Sequence, residues 1–443
     1  MNQYEKGIEK WAIVSVAIAA TASLSLMLPA WSKSGLAVLE DSPKTIVDET
    51  WQIVNREYVD PTFNQVDWQE VRHSLLSKEY TSQKQAYAAI RTALRKLEDP
   101  YTRFLDPEQF QKLTEQTSGE LSGVGMSLEF DGETKSITVV KPYENSPALA
   151  AGIQAGDRIL AIDGKSTKNM SLKAAVKLIR GEVGTEVTLE LSRRGRGIFE
   201  VEVTRAKIEV PAVNYALKEE GHLRIGYIRL SDFSSHAAEQ MEGSISDLQE
   251  QQVDGFVLDL RGNPGGLLQA SIEIARMWMD KGAIVSTIDR DGNREALQAN
   301  GKALTKLPLA VLVNGNSASS SEILTGALQD HKRAQVIGTQ TFGKALVQAV
   351  HTLSDGSGLA VTVAHYYTPK GTDISQTGII PDIEIKMTDK QLRRLLRNPK
   401  LLATQQDPQY ARAIATLKVE IYPKPLAINE SINDEEKSRV AAP

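Results

Sequence analysis

The sequence predicts a multidomain α/β protein in which a helical amino-terminal region and a β-rich section precede an α/β core. At 443 residues the chain is too long for a typical single domain, so two or three domains are expected. Its 41% hydrophobic residues are enough to build their cores. From Ile208 onward, strand-like runs alternate with helical ones, which is the pattern of an α/β fold.

The spacing of apolar residues divides the chain further. Ile46, Trp51, Val54 and Tyr58 recur at roughly helical spacing, whereas the middle section has strand-like runs between Gly-rich turns and one amphipathic helix. The carboxyl-terminal end is charged and helical before a tail of disordered composition. We therefore expect five segments, namely the export segment 1–32, the helical region 42–116, the β-rich section 117–206, the core 207–386 and the helical end and tail 387–443.

An uncharged and mostly apolar run, residues 11–32, follows Lys6 and Lys10 at the amino terminus. This pattern predicts a signal peptide, and Ala30 and Ser32 offer the small residues of a cleavage site. The run is also long enough to span a bilayer as an uncleaved membrane anchor. Either alternative places the rest of the chain outside the cytoplasm.

The overall composition excludes several classes of function. The net charge of −5 and the pI near 5.9 give no basic footprint for nucleic acid. The absence of cysteine excludes disulfides, thiol catalysis and cysteine-based metal sites. The sequence implies no metal and no other cofactor.

A buried strand, Leu307–Val313, runs into a loop of small polar residues and then into a helix. Ser319 lies in this loop, where the exposed N–H groups and the positive end of the helix dipole favour a developing anion. Ser319 and Glu322 also fit the S-x-x-E capping box, so a plain helix cap is the alternative to a nucleophile.

A serine nucleophile needs a base, and none of the six histidines has a motif that would supply one. Lys344 is flanked by small and apolar residues, and burial would lower its pKa towards use as a base. Gln348 falls on the same side as Lys344 in a strand or a helix, so it could hold the amine.

Two glycine-rich stretches offer backbone donors. The stretch RGNPGG, residues 261–266, follows a buried strand, so the N–H groups of Gly265 and Ser320 could form an oxyanion hole. A tight turn is the alternative. In the β-rich section, the N–H groups of Gly123, Val124, Gly125 and Met126 could bind a terminal carboxylate while a peptide adds as a strand. An ordinary hairpin glycine pair is the alternative there.

Several separated strings resemble one known family. VNGNSASSSEILTGALQD, GTQTFGKALVQ and GFVLDLRGNPGG are similar to the carboxyl-terminal processing peptidases, also called tail-specific proteases, although Asn316 and Ser320 depart from the usual residues. GVGMSLEF, SPALAAGIQAGDRILAIDGKS and LIRGEVGTEVTLELSR resemble a PDZ domain. The resemblance implies a ClpP/crotonase-like catalytic core with a Ser/Lys dyad.

The family pattern carries over to four positions. It implies a nucleophile at Ser319, a general base at Lys344, a supporting glutamine at Gln348 and a supporting acidic residue at Asp330. It also implies substrates with exposed, apolar carboxyl-terminal tails, and it is compatible with a homo-oligomer. The amino-terminal half most resembles cyanobacterial members, which implies the periplasm or the thylakoid lumen.

Two rival interpretations remain open. Gly338 to Lys344 fits the phosphate-binding pattern G-x-x-x-x-G-K, but Ala345 stands where that motif needs Ser or Thr. The second rival is an exported PDZ scaffold with an inactive hydrolase domain, which would bind tails without cleaving them.

Overall fold

The computed structural model describes residues 42–132 and 134–422, together with a two-residue strand, Val16–Ala17 (β1). Apart from that strand, the predicted signal or anchor segment, residues 1–32, lies outside the described residues, as does the tail 423–443. Within the described part of the chain, no helix has both the length and the apolar character needed to cross a membrane.

The amino-terminal region is helical, as its sequence periodicity predicts. Trp51 and Trp68 lie in its core, where the indole of Trp51 donates a hydrogen bond to the carbonyl oxygen of Trp68 at 2.7 Å. A short strand in this region pairs with a core strand described below, so the region is joined to the core through a sheet. Its elements are α1 (Pro43–Glu57), α2 (Trp68–Leu76), α3 (Gln83–Leu94), a 3-10 turn (Arg95–Leu97), β2 (Arg103–Leu105) and α4 (Pro107–Ser118).

The β-rich section forms an antiparallel sheet with the strand order β4-β5-β6-β8-β9, to which β7 adds beside β6. The first strand of this order is an edge strand, and α6 lies near it. β3 and β10 pair with each other as a two-stranded ribbon that leads back to the core. The elements are β3 (Glu120–Gly123), β4 (Met126–Asp131), β5 (Ser136–Pro142), α5 (Pro147–Ala150), β6 (Arg158–Ile162), β7 (Lys165–Ser166), α6 (Leu172–Ile179), β8 (Glu186–Arg193), β9 (Gly197–Thr204) and β10 (Ala206–Glu209).

The core contains a six-stranded sheet of order β11-β12-β13-β16-β17-β20, in which the strands from β12 onward are parallel. Alternate residues of its central strands face opposite layers. Phe256 and Leu258 pack with the helices α7, α8 and α9, whereas Val257 packs with α11. The elements of this sheet and its layers are β11 (Val213–Glu220), β12 (Leu223–Leu230), α7 (Ala237–Glu250), β13 (Gly255–Asp259), α8 (Leu268–Trp278), β16 (Leu309–Val313), α9 (Ser320–Asp330), β17 (Gln335–Gly338), β20 (Ile383–Glu384), α10 (Asp389–Arg397), a 3-10 turn (Pro399–Leu401) and α11 (Pro408–Ile421).

A second core sheet has the order β1-β18-β19-β14-β15, and β2 of the helical region pairs with β19. Its remaining strands are β14 (Ala283–Asp289), β15 (Arg294–Gln298), β18 (Leu346–Thr352) and β19 (Gly358–Tyr367). β18 begins two residues after Lys344, so this sheet fixes the backbone that carries the predicted base. The predicted fold class, a multidomain α/β protein with a helical start and a β-rich middle section, is confirmed.

Candidate active site

Ser319 lies between β16 and α9 in an uncommon backbone conformation, with φ 56° and ψ −114°. A non-glycine residue in this region is strained, and such strain persists where the surrounding packing imposes it. Ser319 is fully buried, and a side chain at the neighbouring Gly265 would approach the Ala318 carbonyl oxygen to 2.8 Å. Among the described residues, no hydrogen-bond partner contacts the Ser319 hydroxyl. The hydroxyl therefore does not cap the helix.

Glu322 organises the site from the first turn of α9. Its buried carboxylate accepts hydrogen bonds from the Ser319 N–H at 2.8 Å, the Thr341 hydroxyl at 2.6 Å, the Gly343 N–H at 2.7 Å and the Lys344 N–H at 3.0 Å. Burial raises the pKa of Glu322, while these four donors oppose that effect. The S-x-x-E spacing identified Glu322 as a capping residue but did not reveal its bonds to the lysine segment.

Lys344 is 1% exposed, and its amine donates a hydrogen bond to the Gln348 side-chain oxygen at 2.6 Å. Burial and, to a smaller extent, the nearby charge of Arg103 lower the pKa of Lys344, while Asp99 and Glu322 act in the opposite direction, and the net pKa is about 7. The amine also lies 4.6 Å from the centroid of the Tyr101 ring. A pKa near 7 is in the range in which a lysine can exchange a proton near neutral pH.

Ser319 and Lys344 belong to one site because they share two partners. Glu322 accepts from both backbone N–H groups, and the Tyr366 hydroxyl lies within hydrogen-bond distance of both carbonyl oxygens, to either of which it can donate its proton, with 3.2 Å to that of Ser319. No hydrogen bond joins the Ser319 hydroxyl to the amine, which rests on Gln348 instead. The structure therefore brings together Ser319, Lys344 and Gln348, with no hydrogen bond between the Ser319 hydroxyl and the Lys344 amine.

The two predicted oxyanion donors differ in this structure. Within the described chain, the Ser320 N–H has no hydrogen-bond partner, as expected at the first position of a helix. The Gly265 N–H lies beside the same loop but donates to the Asn263 side-chain oxygen at 2.9 Å. Its use as an oxyanion donor would require that bond to be exchanged or shared.

The structure does not place the predicted supporting acid, Asp330, beside Lys344. Asp330 is the last residue of α9, so it lies about 16 Å along the helix from Ser319. Its carboxylate accepts from the Lys370 N–H at 2.9 Å and faces the Lys370 ammonium at 3.6 Å. The acidic residues that act on Lys344 are Asp99 and Glu322. Asp330 fixes the loop after β19 instead.

The segment before Lys344 does not form a phosphate cradle. A phosphate-binding loop presents its backbone N–H groups to the ligand, but those of Gly343 and Lys344 donate to the Glu322 carboxylate. Lys344 itself is buried rather than directed to a surface cleft. The nucleotide-binding interpretation therefore has no support in the geometry.

The predicted tail-binding residues lie where β3 turns into the edge strand β4. Gly125 has φ +79°, and a side chain there would clash with Ser146 at 2.4 Å. No hydrogen-bond acceptor among the described residues meets the N–H of Val124 or Gly125, while Met126 begins the edge strand. Gly123 instead pairs with Ala206 in the ribbon. Three of the four residues thus border the predicted peptide groove.

Comparison with known proteins agrees with this geometry. A model of peptidase family S41 matches residues 224–385, and a PDZ-domain model matches residues 138–193. A carboxyl-terminal-processing protease of Picosynechococcus is 47% identical over 335 residues, covering 75% of this chain and 81% of the relative. The chloroplastic C-terminal processing peptidase of Tetradesmus obliquus is 39% identical and covers 76% of each chain. A solved structure assigned to the S41 proteases of Bacteroides fragilis shares the fold at 17% identity, with a TM-score of 0.54 over 84% of this chain and 96% of that chain.

The matches define a serine protease that carries a PDZ domain. The chain belongs to the carboxyl-terminal-processing proteases of peptidase family S41. The resemblance seen in the sequence is thereby confirmed at the level of family and enzyme class.

Proposed function

We propose that this chain is an exported endopeptidase that recognises the carboxyl-terminal tails of protein substrates and cleaves them with a Ser319/Lys344 dyad. Its PDZ domain would receive the tail, and the α/β core would carry out the cleavage. The exported protein would comprise a helical region (42–116), the PDZ domain (117–206), the catalytic core (207–386) and a helical carboxyl-terminal segment with its tail (387–443).

The observation that carries the proposal is the buried amine of Lys344. Its pKa of about 7 makes it a usable base, and Glu322 ties its backbone to that of a strained serine whose hydroxyl has no other described partner. A structural lysine in a fold core gains nothing from such an arrangement, because burial of a charged amine is costly. A general base benefits from it directly.

In the proposed reaction, the Ser319 hydroxyl oxygen attacks the scissile carbonyl carbon while neutral Lys344 accepts the hydroxyl proton. The N–H groups of Ser320 and Gly265 stabilise the oxyanion. The carbon–nitrogen bond then breaks, and the Lys344 ammonium gives its proton to the leaving amine. A water molecule, deprotonated by Lys344, hydrolyses the acyl-enzyme and restores the serine.

This reaction requires a local rearrangement, because the amine rests on Gln348 and the Gly265 N–H on Asn263. The end of α4, which leads into the PDZ domain, contacts the core near this site and is suited to transmit one. The Ser235 N–H donates to the Thr117 carbonyl at 2.9 Å, and the Phe233 N–H donates to the Gly265 carbonyl at 3.0 Å. We propose that tail binding to the PDZ domain shifts this connection and completes the site.

The location of the protein is inferred from its amino-terminal segment, and the class of substrate from the edge strand of the PDZ domain. Residues 11–32 would direct export, as a cleaved signal or an anchor, to the periplasm or the thylakoid lumen. The Tetradesmus relative is a chloroplastic peptidase. Protein tails ending in apolar residues would bind beside β4 as an added strand. Assembly into a homo-oligomer is compatible with this scheme.

The dyad is tested with an unstructured protein substrate that ends in apolar residues, with fragments identified by mass spectrometry. We expect the Ser319→Ala and Lys344→Ala variants to lose about 10³-fold or more in kcat, with no further loss in the double variant, since dyad members act as a unit. The exposed Ser74→Ala and Lys302→Ala variants serve as matched controls and should keep wild-type kcat.

The outcomes separate the alternatives. Substantial activity in Lys344→Ala would show that another group is the base. A wild-type protein that binds the tail without cleaving it would be the inactive PDZ scaffold. If tail binding completes the site, free tail peptide added in trans should accelerate cleavage of a tailless substrate. Fractionation of a reporter fused to residues 1–41 tests export.

A further inference from the structure

The loop of residues 99–102, called the Asp99 loop, comes from the helical amino-terminal region yet borders the Lys344 amine. It lies between the 3-10 turn and β2, and Arg103 pairs with Ala360 of β19. The Asp99 carboxylate accepts from the Tyr101 N–H at 2.8 Å and from the Thr102 hydroxyl at 2.6 Å, so the loop holds its own shape. This part of the chain gave no sign of chemistry in its sequence pattern.

A chain of hydrogen bonds runs from Asp99 to the amine. The Thr362 hydroxyl donates to the Asp99 carboxylate at 2.6 Å, and the Gln348 amide nitrogen donates to the Thr362 oxygen at 3.4 Å. The Gln348 oxygen then accepts from Lys344 at 2.6 Å. Lys344, Gln348 and Thr362 are each 1% exposed, so these groups are shielded from bulk solvent.

The direction of this chain is fixed at its Asp99 end. An ionised carboxylate can only accept, so Thr362 must donate its single proton to Asp99. The Thr362 oxygen can then only accept from Gln348, which leaves the amide oxygen of Gln348 facing the lysine. Asp99 thereby decides which end of the Gln348 amide meets the amine, although it does not touch the amine itself.

Tyr101 contributes the wall of the same pocket. The lysine nitrogen lies 4.6 Å from the ring centroid, which is within the range of a cation–π contact. Among the described residues, the ionisable groups around Lys344 come from four elements: Asp99 and Tyr101 from the loop, Arg103 from β2, Glu322 from α9, and Tyr366 from β19. Three of these five belong to the amino-terminal region.

We propose that Asp99 and Tyr101 are positioning residues for Lys344, so that the amino-terminal helical region completes the active site rather than only packing against it. The proposal rests on the Ser319/Lys344 dyad proposed above. Asp99 orients the Gln348 amide through Thr362, and the Tyr101 ring holds the amine over its face. Neither residue touches the substrate.

The test uses the full-length chain with the Asp99→Asn variant and a kcat–pH profile. The asparagine can donate to Thr362, which reverses the hydrogen-bond chain, so we expect kcat to fall by about 10- to 100-fold with little change in KM. Loss of the negative charge favours the neutral amine, so the acid limb of the profile should move to lower pH. Asp60→Asn is the matched control, because Asp60 also binds hydroxyl and N–H groups in the helical region, at 2.7–2.8 Å.

Two further pairs of variants separate positioning from structure. Thr362→Val breaks the chain without removing a charge, so kcat should fall while the acid limb stays in place, and Thr362→Ser should restore activity. Tyr101→Leu should lower kcat on the order of tenfold and shift the acid limb to lower pH, because the ring that favours the ammonium is lost. Tyr101→Phe keeps the ring face and should behave as wild type.

The proposal is overturned if folded Asp99→Asn and Tyr101→Leu proteins keep wild-type kcat and an unmoved acid limb while Lys344→Ala is inactive. If Asp99→Asn does not fold, the Thr362→Val and Thr362→Ser pair decides in its place, and equal activity in the two would refute the hydrogen-bond chain. Activity retained by Lys344→Ala contradicts the dyad itself, which is a different failure.

Discussion

The core buries two cations, Lys344 and Arg261, and it treats them in opposite ways. Arg261 forms paired hydrogen bonds with Asp259 at 2.6 and 2.9 Å and with Asp407 at 2.8 and 3.0 Å. Lys344 donates instead to the neutral amide of Gln348 and lies against an aromatic ring. The surroundings of Arg261 stabilise its charged form, whereas those of Lys344 favour the neutral amine.

The pKa values follow from these partners. Burial alone would lower the pKa of Arg261, but Asp259 and Asp407 raise it well above its usual value. Burial lowers the pKa of Lys344 to about 7, and Asp99 and Glu322 do not restore it. Arg261 ties the loop that carries Gly265 to the start of α11 through Asp407, which is a structural task. A buried cation is therefore informative about catalysis only once its partners are known.

Replacement of Lys344 by methionine should have the largest effect, and it should change turnover and stability in opposite directions. Turnover should fall by about 10³-fold or more, while the free energy of unfolding rises by up to about 5 kcal/mol, less about 1–3 kcal/mol for the lost bond to Gln348. The folded-state pKa of about 7 lies below the ordinary lysine value of 10.5, so the gain should be full below pH 7 and vanish above pH 10.5. Urea unfolding at several pH values measures it. An equally stable variant at pH 6 would contradict a costly buried amine.

The same substitution at Arg261 should have the opposite effect on stability. Arg261→Met leaves the carboxylates of Asp259 and Asp407 buried without their cation, so we expect a loss of about 3–5 kcal/mol in the free energy of unfolding. Chemical denaturation measures the change, and the exposed Arg393→Met variant is the control. A loss below about 1 kcal/mol would mean that this ion cluster contributes little to stability in spite of its short hydrogen bonds.

Glu322→Gln should affect the Ser319 and Lys344 segments at the same time. A glutamine cannot accept from all four donors, and its own N–H groups would face some of them. We expect a loss of about 2 kcal/mol in stability, together with a reduced kcat, because the backbones of Ser319 and Lys344 lose their common anchor. Thermal unfolding and cleavage assays on the same sample test this. Wild-type stability together with wild-type kcat would show that Glu322 does not hold the Ser319 and Lys344 segments together.

The pH dependence of turnover is the smallest expected effect. The neutral fraction of a lysine with a pKa of about 7 rises about tenfold between pH 6 and pH 8, and kcat should rise with it. Arg261 stays charged throughout this range, so it adds no pH dependence of its own. A kcat that is flat from pH 6 to pH 8 would contradict Lys344 as the titrating base.

Much of this organisation was predictable from local patterns. The strand before Ser319, the helix after it and the apolar residues around Lys344 lie within one short stretch, so local periodicity was sufficient to place them. Asp330 shows the limit of such reasoning. The resemblance implied that Asp330 supports Lys344, but the eleven residues of α9 place Asp330 at the far end of that helix. Asp99 and Tyr101 had no local signal, because their meaning depends on contact with residues more than 200 positions later.

By itself, the sequence determined the order of domains, the enzyme family and the two side chains proposed for the chemistry. Periodicity, small residues at turns and an apolar setting for one lysine act over a few neighbouring positions, so they can be read without coordinates. The tertiary structure decided which groups surround that lysine. A pKa near neutrality comes from burial and from charges supplied by distant segments, and such distances exist only after the chain has packed.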